Sequence, residues 1–312
     1  MKKLSNKVLV IVLLVLVCGF ALSRLFRAPA LEGSVRQTLV KVDTAAVTDM
    51  TLHTALHPDE EVKFHKEAGQ WTVSRGKESH STDRGMVNTM LRSIAEIKPE
   101  RMISHKKEKW DDFKVGEKGT HLVAYAGSEK VADFIIGKTG FVPSTEGTFG
   151  RGFTYFRLSN EEDVFSIDGY LEATFSRKFD DWRDKTLLRL RKEDVVRITF
   201  DYPLDSGYVA EKKDSTWHAG GTALVPSSVM EYLGRIANQR INAFADGFAA
   251  PAKPDITIQY DGVAGSLAKV EFWKQADKWI MTSSVQPGVF FTNPDNIIVR
   301  AMMISKKKLA TK

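Results

Sequence analysis

The histidines are the first residues to consider for chemistry, because neutral imidazole is the commonest side-chain ligand of metal ions in proteins. The chain has seven, and His53 and His57 have the i, i+4 spacing that places two rings on one face of a helix. The surrounding residues alternate as in a strand, however, and Pro58 follows directly. The two rings are therefore not expected to converge, and we predict solvated histidines and no metal site.

Nucleophilic, acid–base and phosphate-binding motifs are also missing from the sequence. It has no Gly-x-Ser-x-Gly nucleophile turn, and its one cysteine, Cys18, lies in an apolar run. Neighbouring acids such as Asp180 and Asp181 point to opposite faces of an extended chain, so they cannot flank one bond. The glycine-rich segment 147–152 has no predicted helix after it to bind phosphate. The sequence therefore predicts no catalytic residue, no cofactor and a non-enzymatic protein.

The charge distribution argues against a nucleic-acid partner. The net charge is +6, but residues 1–27 contain five basic residues and no acid, so the rest of the chain has 40 basic against 39 acidic residues. A surface that follows a phosphate backbone needs a basic excess, and this excess belongs to the N-terminal segment. We predict no nucleic-acid ligand.

That N-terminal segment has the composition of a membrane anchor. Residues 8–22 are apolar and follow three lysines, and counting onward past Arg24 approaches the roughly 20 residues of a transmembrane helix. We predict that residues 1–27 form a cytoplasmic stub and an uncleaved anchor, with the rest outside the cytoplasm because the lysines precede the apolar run. A signal peptide cleaved near residues 28–30 and a lipid-modified Cys18 are the alternatives.

The body of the chain reads as strands with a few covering helices. Its first half has a tryptophan-containing hairpin at 61–73 and a helix from the N-cap Asp83 to Ile97. Four strands and a short helix follow, and the connection 137–152 is predicted to be a mobile loop. These five elements are predicted at 121–125, 131–136, 154–158, 164–167 and 171–175.

The second half repeats this order. Trp217 follows Asp194 by 23 residues, much as Trp71 follows Asp49 by 22, and a Leu-x-x-Ile-Ala helix motif comes next in both halves. We expect Trp71, Trp217 and Trp279 to fill the sheet-to-helix cores. A repeat of about 145 residues is too long for a solenoid and predicts a duplicated domain.

The predicted fold class is α+β, with two tandem copies of a mainly antiparallel sheet and covering helices after one N-terminal transmembrane helix. The C-terminal residues, which include three consecutive lysines, are expected to be a frayed, solvated tail. The predicted boundaries are 1–27 for the stub and anchor, 28–178 for the first repeat, 179–191 for an inter-repeat joint, 192–304 for the second repeat and 305–312 for the basic tail.

The joint is the candidate site for packing or for partner contact. Phe179 and Trp182 are available to pack into one or both cores, while Arg183 and Asp184 are placed to cap or bridge the start of the second copy. An exposed Trp182 would instead make this stretch a docking site, so both interpretations stay open.

The succession of motifs resembles the domain-of-unknown-function 4340 family of bacterial membrane-anchored proteins. It comprises the anchor, the tryptophan hairpin, the Leu-x-x-Ile-Ala helix, the segment 112–116, the strand 164–168 and the stretch 179–188. Family members have a Gly-Leu-x-x-Pro turn where this chain has Lys-Val-Gly-Glu-Lys at 114–118. Genes of the family commonly neighbour ABC-transporter components of the gliding-motility type, so the resemblance implies an auxiliary extracytoplasmic role. It carries no known active site.

These observations predict a single-pass protein of the bacterial inner (cytoplasmic) membrane with its body in the periplasm or otherwise outside the cytoplasm. Its predicted role is that of an auxiliary or scaffold component of an ABC-type export or envelope complex, with protein partners in that complex. The alternative is a binding module for cell-envelope glycan or lipid that uses a cleft between the copies and the loop 137–152. That alternative rests on the supply of aromatic residues at Phe141, Phe149, Phe153 and Tyr155.

Overall fold

A computed structural model describes residues 36–143, 150–204 and 206–311. The predicted anchor lies outside the described residues, as does the middle of the predicted loop 137–152. Within the described ranges, no helix has both the length and the apolar character needed to cross a membrane. The chain divides into two compact units. Unit 1 comprises the described residues of Met1–Glu78 and Val87–Arg177, and unit 2 those of Ser79–Met86 and Lys178–Lys312.

Unit 1 is built on a large antiparallel sheet. Burial alternates along its strands, so that Met50 and Leu52 face the core and His53 does not, which is the period-two pattern of a sheet with one covered face. The strands are β1 (Val40–Lys41), β2 (Asp49–Thr54), β3 (His57–Glu67), β4 (Gln70–Arg75), β5 (Glu78–Ser81), β6 (Glu96–Ile97), β7 (Pro99–Ser104), β8 (Thr120–Ala126), β9 (Glu129–Val142), β10 (Arg151–Leu158) and β11 (Val164–Asp168).

Within unit 1 the large sheet has the order β4-β3-β2-β8-β9-β10-β11-β7, and β1 pairs separately with β6. The strand β5 carries the chain from unit 1 into unit 2. The helices are α1 (Arg84–Ala95), α2 (Trp110–Phe113) and α3 (Leu171–Phe175).

The predicted start of helix α1 is confirmed. Asp83 accepts a hydrogen bond from the backbone N–H of Met86 through Oδ1 at 3.0 Å, as an N-cap does. The buried side chains of the helix follow at helical spacing and are Val87, Met90, Leu91 and Ile94. The helix ends two residues earlier than predicted, because Ile97 belongs to β6 and pairs with Val40 of β1.

Unit 2 has an eight-stranded antiparallel sheet with the order β16-β15-β14-β13-β18-β19-β20-β21, and β12 pairs separately with β17. Its strands are β12 (Thr186–Arg189), β13 (Arg197–Asp201), β14 (Tyr208–Lys213), β15 (Thr216–Ala219), β16 (Thr222–Leu224), β17 (Asn238–Arg240), β18 (Ile256–Gly262), β19 (Gly265–Gln275), β20 (Lys278–Ser283) and β21 (Gln286–Thr292). Its helices are α4 (Phe179–Trp182), α5 (Pro226–Ile236), α6 (Ile297–Met302) and α7 (Lys306–Ala310).

The two sheets share one strand order. The central strands β2 and β13 are each flanked on one side by the next strands of the chain and on the other by a four-strand meander that follows the long helix. The pair β1–β6 in unit 1 corresponds to the pair β12–β17 in unit 2. Among the described strands in the order given for unit 1, only the edge strand β7 lacks a full counterpart in unit 2, where a bridge between Phe244 and Phe291 stands in its place. The prediction of an α+β fold with mainly antiparallel sheets is confirmed.

Three local predictions are wrong in whole or in part. The described ends of the segment 137–152 are mostly strand, because β9 continues to Val142 and β10 begins at Arg151. The expected frayed tail forms helix α7, since Leu309 is buried and its carbonyl accepts a hydrogen bond from the Val225 N–H at 2.9 Å. Among the three tryptophans expected in the cores, Trp217 is buried, whereas residues 71 and 279 are only half-buried.

Candidate functional site

A cleft of about 750 Å³ opens on unit 1. One wall comes from the neighbouring strands β2 and β8, which contribute His53 and His121. The other wall comes from the segment 107–119, which contains helix α2, and from Arg157 at the end of β10. Clefts with a few convergent polar groups are the usual form of ligand sites in proteins.

The segment 107–119 lies directly against the backbone of the sheet. A Cβ atom at Gly137 would collide with the carbonyl oxygen of Phe113, and one at Gly119 would collide with the side chain of Ile135. Helix α2 ends at Lys114 in the left-handed conformation, with φ of 54°, and the Val115 N–H returns to the Trp110 carbonyl at 3.0 Å. The residues 112–116 that carried part of the family resemblance therefore turn the chain into this wall.

Arg157 holds the segment 107–119 against the sheet. It is 3% exposed, and its Nε donates to the carbonyl oxygen of Val115 at 2.9 Å. Its Nη1 donates to the carbonyl oxygens of three further residues at 2.9–3.1 Å, namely Leu158, Ser159 and Glu161. The guanidinium carbon lies 3.7 Å from the ring centroid of Trp110, whose Nε1 donates to the Glu162 carbonyl at 3.0 Å.

The positive charge of Arg157 has no ion-pair partner among the described residues. Burial lowers the pKa of Arg157, and the charge of Asp133 opposes that shift without a direct contact. A buried guanidinium held by carbonyl dipoles alone keeps its hydrogen bonds but lacks the neutralising charge that a carboxylate supplies.

His121 on the other wall takes part in a hydrogen-bond network with Asp133 and Ser159. Its Nε2 lies 2.8 Å from Asp133 Oδ1 and 3.2 Å from Ser159 Oγ, while Lys130 Nζ lies 2.6 Å from Asp133 Oδ2. Burial by itself raises the pKa of Asp133, but the hydrogen bonds from His121, Lys130 and Ser159 outweigh it, so the pKa is lowered overall.

This network does not have the geometry of a nucleophile relay. In such a relay the serine and the carboxylate contact opposite nitrogens of the imidazole. Here Ser159 and Asp133 both meet Nε2 of His121. The ring of His121 also stacks on that of His53, with centroids 6.3 Å apart, because the two residues are paired across β2 and β8.

The residues predicted for the joint lie in unit 2. Phe179 and Trp182 are buried in helix α4, and the Asp184 carboxylate accepts a hydrogen bond from the Thr186 N–H at 3.0 Å. The Asp184 N–H donates to the Ser81 carbonyl at 2.8 Å. This backbone hydrogen bond therefore connects the chain after α4 to Ser79–Met86, which is the other segment of unit 2.

Arg183 is buried like Arg157 but has carboxylate partners. Its Nη1 and Nη2 donate to the two carboxylate oxygens of Asp246 at 2.6 and 2.8 Å, and Nη1 also donates to Asp180 at 3.0 Å. Its guanidinium carbon lies 3.6 Å from the ring centroid of Phe244. Burial by itself lowers the pKa of Arg183, but Asp246 and Asp180 outweigh it and the pKa is raised.

Comparison with known proteins assigns the chain to a family. The family model of a domain of unknown function, DUF4340, matches residues 76–257, which is more than half of the chain. The chain belongs to the DUF4340 family. The resemblance stated from the motifs is thereby confirmed, and the DUF4340 match includes the segment 107–119, Arg157 and Arg183. No curated protein and no solved structure matches the chain.

Sequence reasoning missed Arg157, His121 and Asp246 as members of these clusters. An arginine in an alternating strand carries no signal of burial, and the Val115 carbonyl that binds Arg157 lies 42 residues earlier in the chain. The one available signal was the tryptophan at 110 beside the turn 112–116.

Proposed function

We propose that the protein is a non-enzymatic, membrane-anchored extracytoplasmic protein that serves as an auxiliary or scaffold component of an ABC-type export or envelope complex. The observation that carries the proposal is an apolar surface at the β9–β10 end of unit 1. Its exposed members are Phe141, Val142 and Tyr170, with exposed fractions of 59%, 47% and 56%. Exposed apolar clusters of this kind are typical of protein contact sites.

The backbone beneath this surface is adapted to hold the rings. A Cβ atom at Gly150 would collide with the ring of Phe141, and one at Gly152 would collide with the ring of Tyr170. The glycines let both rings lie against the strand, where they lose less freedom on binding a partner than mobile side chains would.

The second sheet supports a functional origin for this feature. The shared strand order of the two units favours duplication of one domain, so differences between the units mark what one copy has gained or lost. In unit 2 the strands β19 and β20 pair from Gln275 and Lys278, which leaves a two-residue turn. In unit 1 the corresponding strands run on to the pair Val142 and Arg151. The longer hairpin is not needed for the shared fold.

Affinity purification of the full chain from native membranes tests this proposal. We expect the wild type to recover a permease or ATPase of the ABC class, and the double variant Phe141→Ser and Tyr170→Ser to lose it. Val263→Ser is the matched control, because Val263 is 92% exposed but lies in unit 2. Recovery of neither subunit by the wild type would overturn the proposal, and equal recovery by the double variant would remove the hairpin surface from it.

The membrane anchor and the extracytoplasmic location are part of the same proposal. They are supported by the apolar run at 8–22 and by the lysines that precede it. Protease added to spheroplasts should degrade the body of the full chain and leave a short fragment in the membrane fraction. Protection of the body until the membrane is lysed would place it in the cytoplasm instead.

A second candidate function is the binding of an envelope glycan or lipid in the cleft of unit 1. The half-buried indole of Trp110 beside Arg157 favours it, because a fixed aromatic ring next to hydrogen-bond donors suits such ligands. Titration of the full chain with envelope extracts should change its intrinsic fluorescence, and Trp110→Phe should remove most of that change. A fluorescence signal indifferent to every extract would exclude this second candidate.

A further inference from the structure

We propose that the cleft of unit 1 binds an oxyanion, specifically the phosphate group of a lipid headgroup, with Arg157 as its principal donor. The proposal rests on the second candidate function above and names the chemical class of its ligand. It does not depend on the hairpin surface of the first.

The first argument is the hydrogen-bond inventory of Arg157. Its Nε and Nη1 are taken by four backbone carbonyls, which fix the guanidinium against the wall of the cleft. Its third nitrogen, Nη2, donates to no residue in the described ranges, although Arg157 lines the cleft. Charged donors of this kind bind phosphate oxygens strongly, because the hydrogen bond is charge-assisted.

The second argument is the comparison with Arg183, which serves as an internal reference. Both guanidinium groups are almost fully buried and lie under an aromatic ring at nearly the same distance. Arg183 has two carboxylates, whereas Arg157 has none within the described residues. The nearest interacting carboxylate, Asp133, is already held by His121 and Lys130. An external anion would supply the missing neutralising charge.

The third argument concerns the remaining charges of the cleft. Lys107 extends over the Trp110 ring, with Nζ 5.2 Å from its centroid, and adds a second cation beside Arg157. Three exposed acids also line the cleft, namely Glu108, Asp111 and Glu117, and Asp111 is paired with Lys118 at 3.6 Å. These acids oppose an anion, so their neutralisation provides a test with the opposite sign to removal of Lys107.

The source of the phosphate follows from where the described chain begins. Arg36 Nη1 lies 2.6 Å from Glu161 Oε1, and the Glu161 carbonyl is one of those that hold Arg157. Roughly ten residues separate the predicted anchor from Arg36, a reach of at most about 35 Å. A retained anchor therefore keeps the cleft close to the membrane surface, where lipid phosphates are concentrated.

Binding of the purified full chain, held in an uncharged detergent, to inorganic phosphate, to glycerol 3-phosphate and to vesicles of anionic or zwitterionic phospholipid tests the proposal. We expect saturable binding that weakens with salt. Lys107→Gln should weaken it roughly two- to fivefold, and Glu117→Gln should strengthen it by a similar factor. Lys213→Gln is the control, because Lys213 is an exposed lysine of unit 2 and should leave binding unchanged.

The outcomes separate the alternatives. Tighter binding to anionic vesicles than to zwitterionic ones, with competition by glycerol 3-phosphate, supports the lipid headgroup. Equal affinity for inorganic phosphate and for vesicles supports the oxyanion site but overturns the lipid as its source. No saturable binding of any phosphate, or weaker binding by Glu117→Gln, overturns the oxyanion site itself. Recovery of ABC subunits in the purification above is unaffected by any of these results, so the two proposals fail independently.

Discussion

Removal of the Asp246 carboxylate should destabilise unit 2 by about 2 kcal/mol. Asp246→Ala leaves Arg183, which is 1% exposed, without its bidentate partner. Breaking a fully buried ion pair from one side costs roughly 3–5 kcal/mol, because the other charge stays buried and unpaired. Two features reduce that figure here. The Asp246 side chain is 48% exposed, so water screens part of the interaction, and Asp180 remains at 3.0 Å.

Urea unfolding of the full chain, followed by circular dichroism, measures this change. We expect the free energy of unfolding to fall by about 2 kcal/mol with an unchanged dependence on urea concentration. Glu231→Ala is the control, because Glu231 is exposed in helix α5, and its removal should alter stability by less than about 0.5 kcal/mol. A loss of less than about 0.5 kcal/mol for Asp246→Ala would refute the argument, since it would mean that the Arg183 charge is neutralised in some other way.

Three further predictions concern stability. Lys114→Gly should raise the free energy of unfolding by about 1 kcal/mol, because a residue with φ of 54° favours glycine, and a melting temperature that falls would contradict it. Trp182→Ala should lower the free energy of unfolding by roughly 3–5 kcal/mol as a buried large-to-small change, and an unmoved melting curve would show that the ring is not part of a core. Burial raises the pKa of Tyr202 from 10.0 to about 12, although the hydrogen bond with Ile304 opposes this shift. The contribution of Tyr202 to the free energy of unfolding is therefore fully present below pH 10 and is lost as the pH rises towards 12. An absorbance titration at alkaline pH checks that shift, with Tyr202→Phe as the reference, and an ordinary midpoint for Tyr202 would contradict it.

Much of the sheet architecture was predictable, because one face of each sheet is covered and the other is not. Burial on one face alone produces the alternation seen in Met50 and Leu52 of β2, and the spacing of apolar residues in α1 reports its single covered face. The order of elements in the second half followed from the first for the same reason. Each half packs one long helix against one large antiparallel sheet, so the same pattern of apolar residues recurs.

The cleft was not predictable, because it lies where both faces of the sheet are covered. Gly152, Thr154 and Phe156 of β10 are buried at period two, but Arg157, which follows Phe156, is buried as well. Phe156 and Arg157 are buried on different faces, since the segment 107–119 covers the outer face of the sheet at this point. A local pattern contains no information about that cover, because the cover depends on close backbone approach at Gly119 and Gly137.

The two units each bury an arginine under an aromatic ring, but they differ in the carboxylates that surround it. In each unit, the connection between the strand after the long helix and the next meander places an aromatic ring over a buried arginine. In unit 2 that connection supplies both Phe244 and Asp246, so Arg183 is covered and neutralised by one segment. In unit 1 it supplies Trp110 but no carboxylate to Arg157. Within the described residues, the fold therefore supplies carboxylates to Arg183 and none to Arg157, and the proposed anion would neutralise the charge of Arg157.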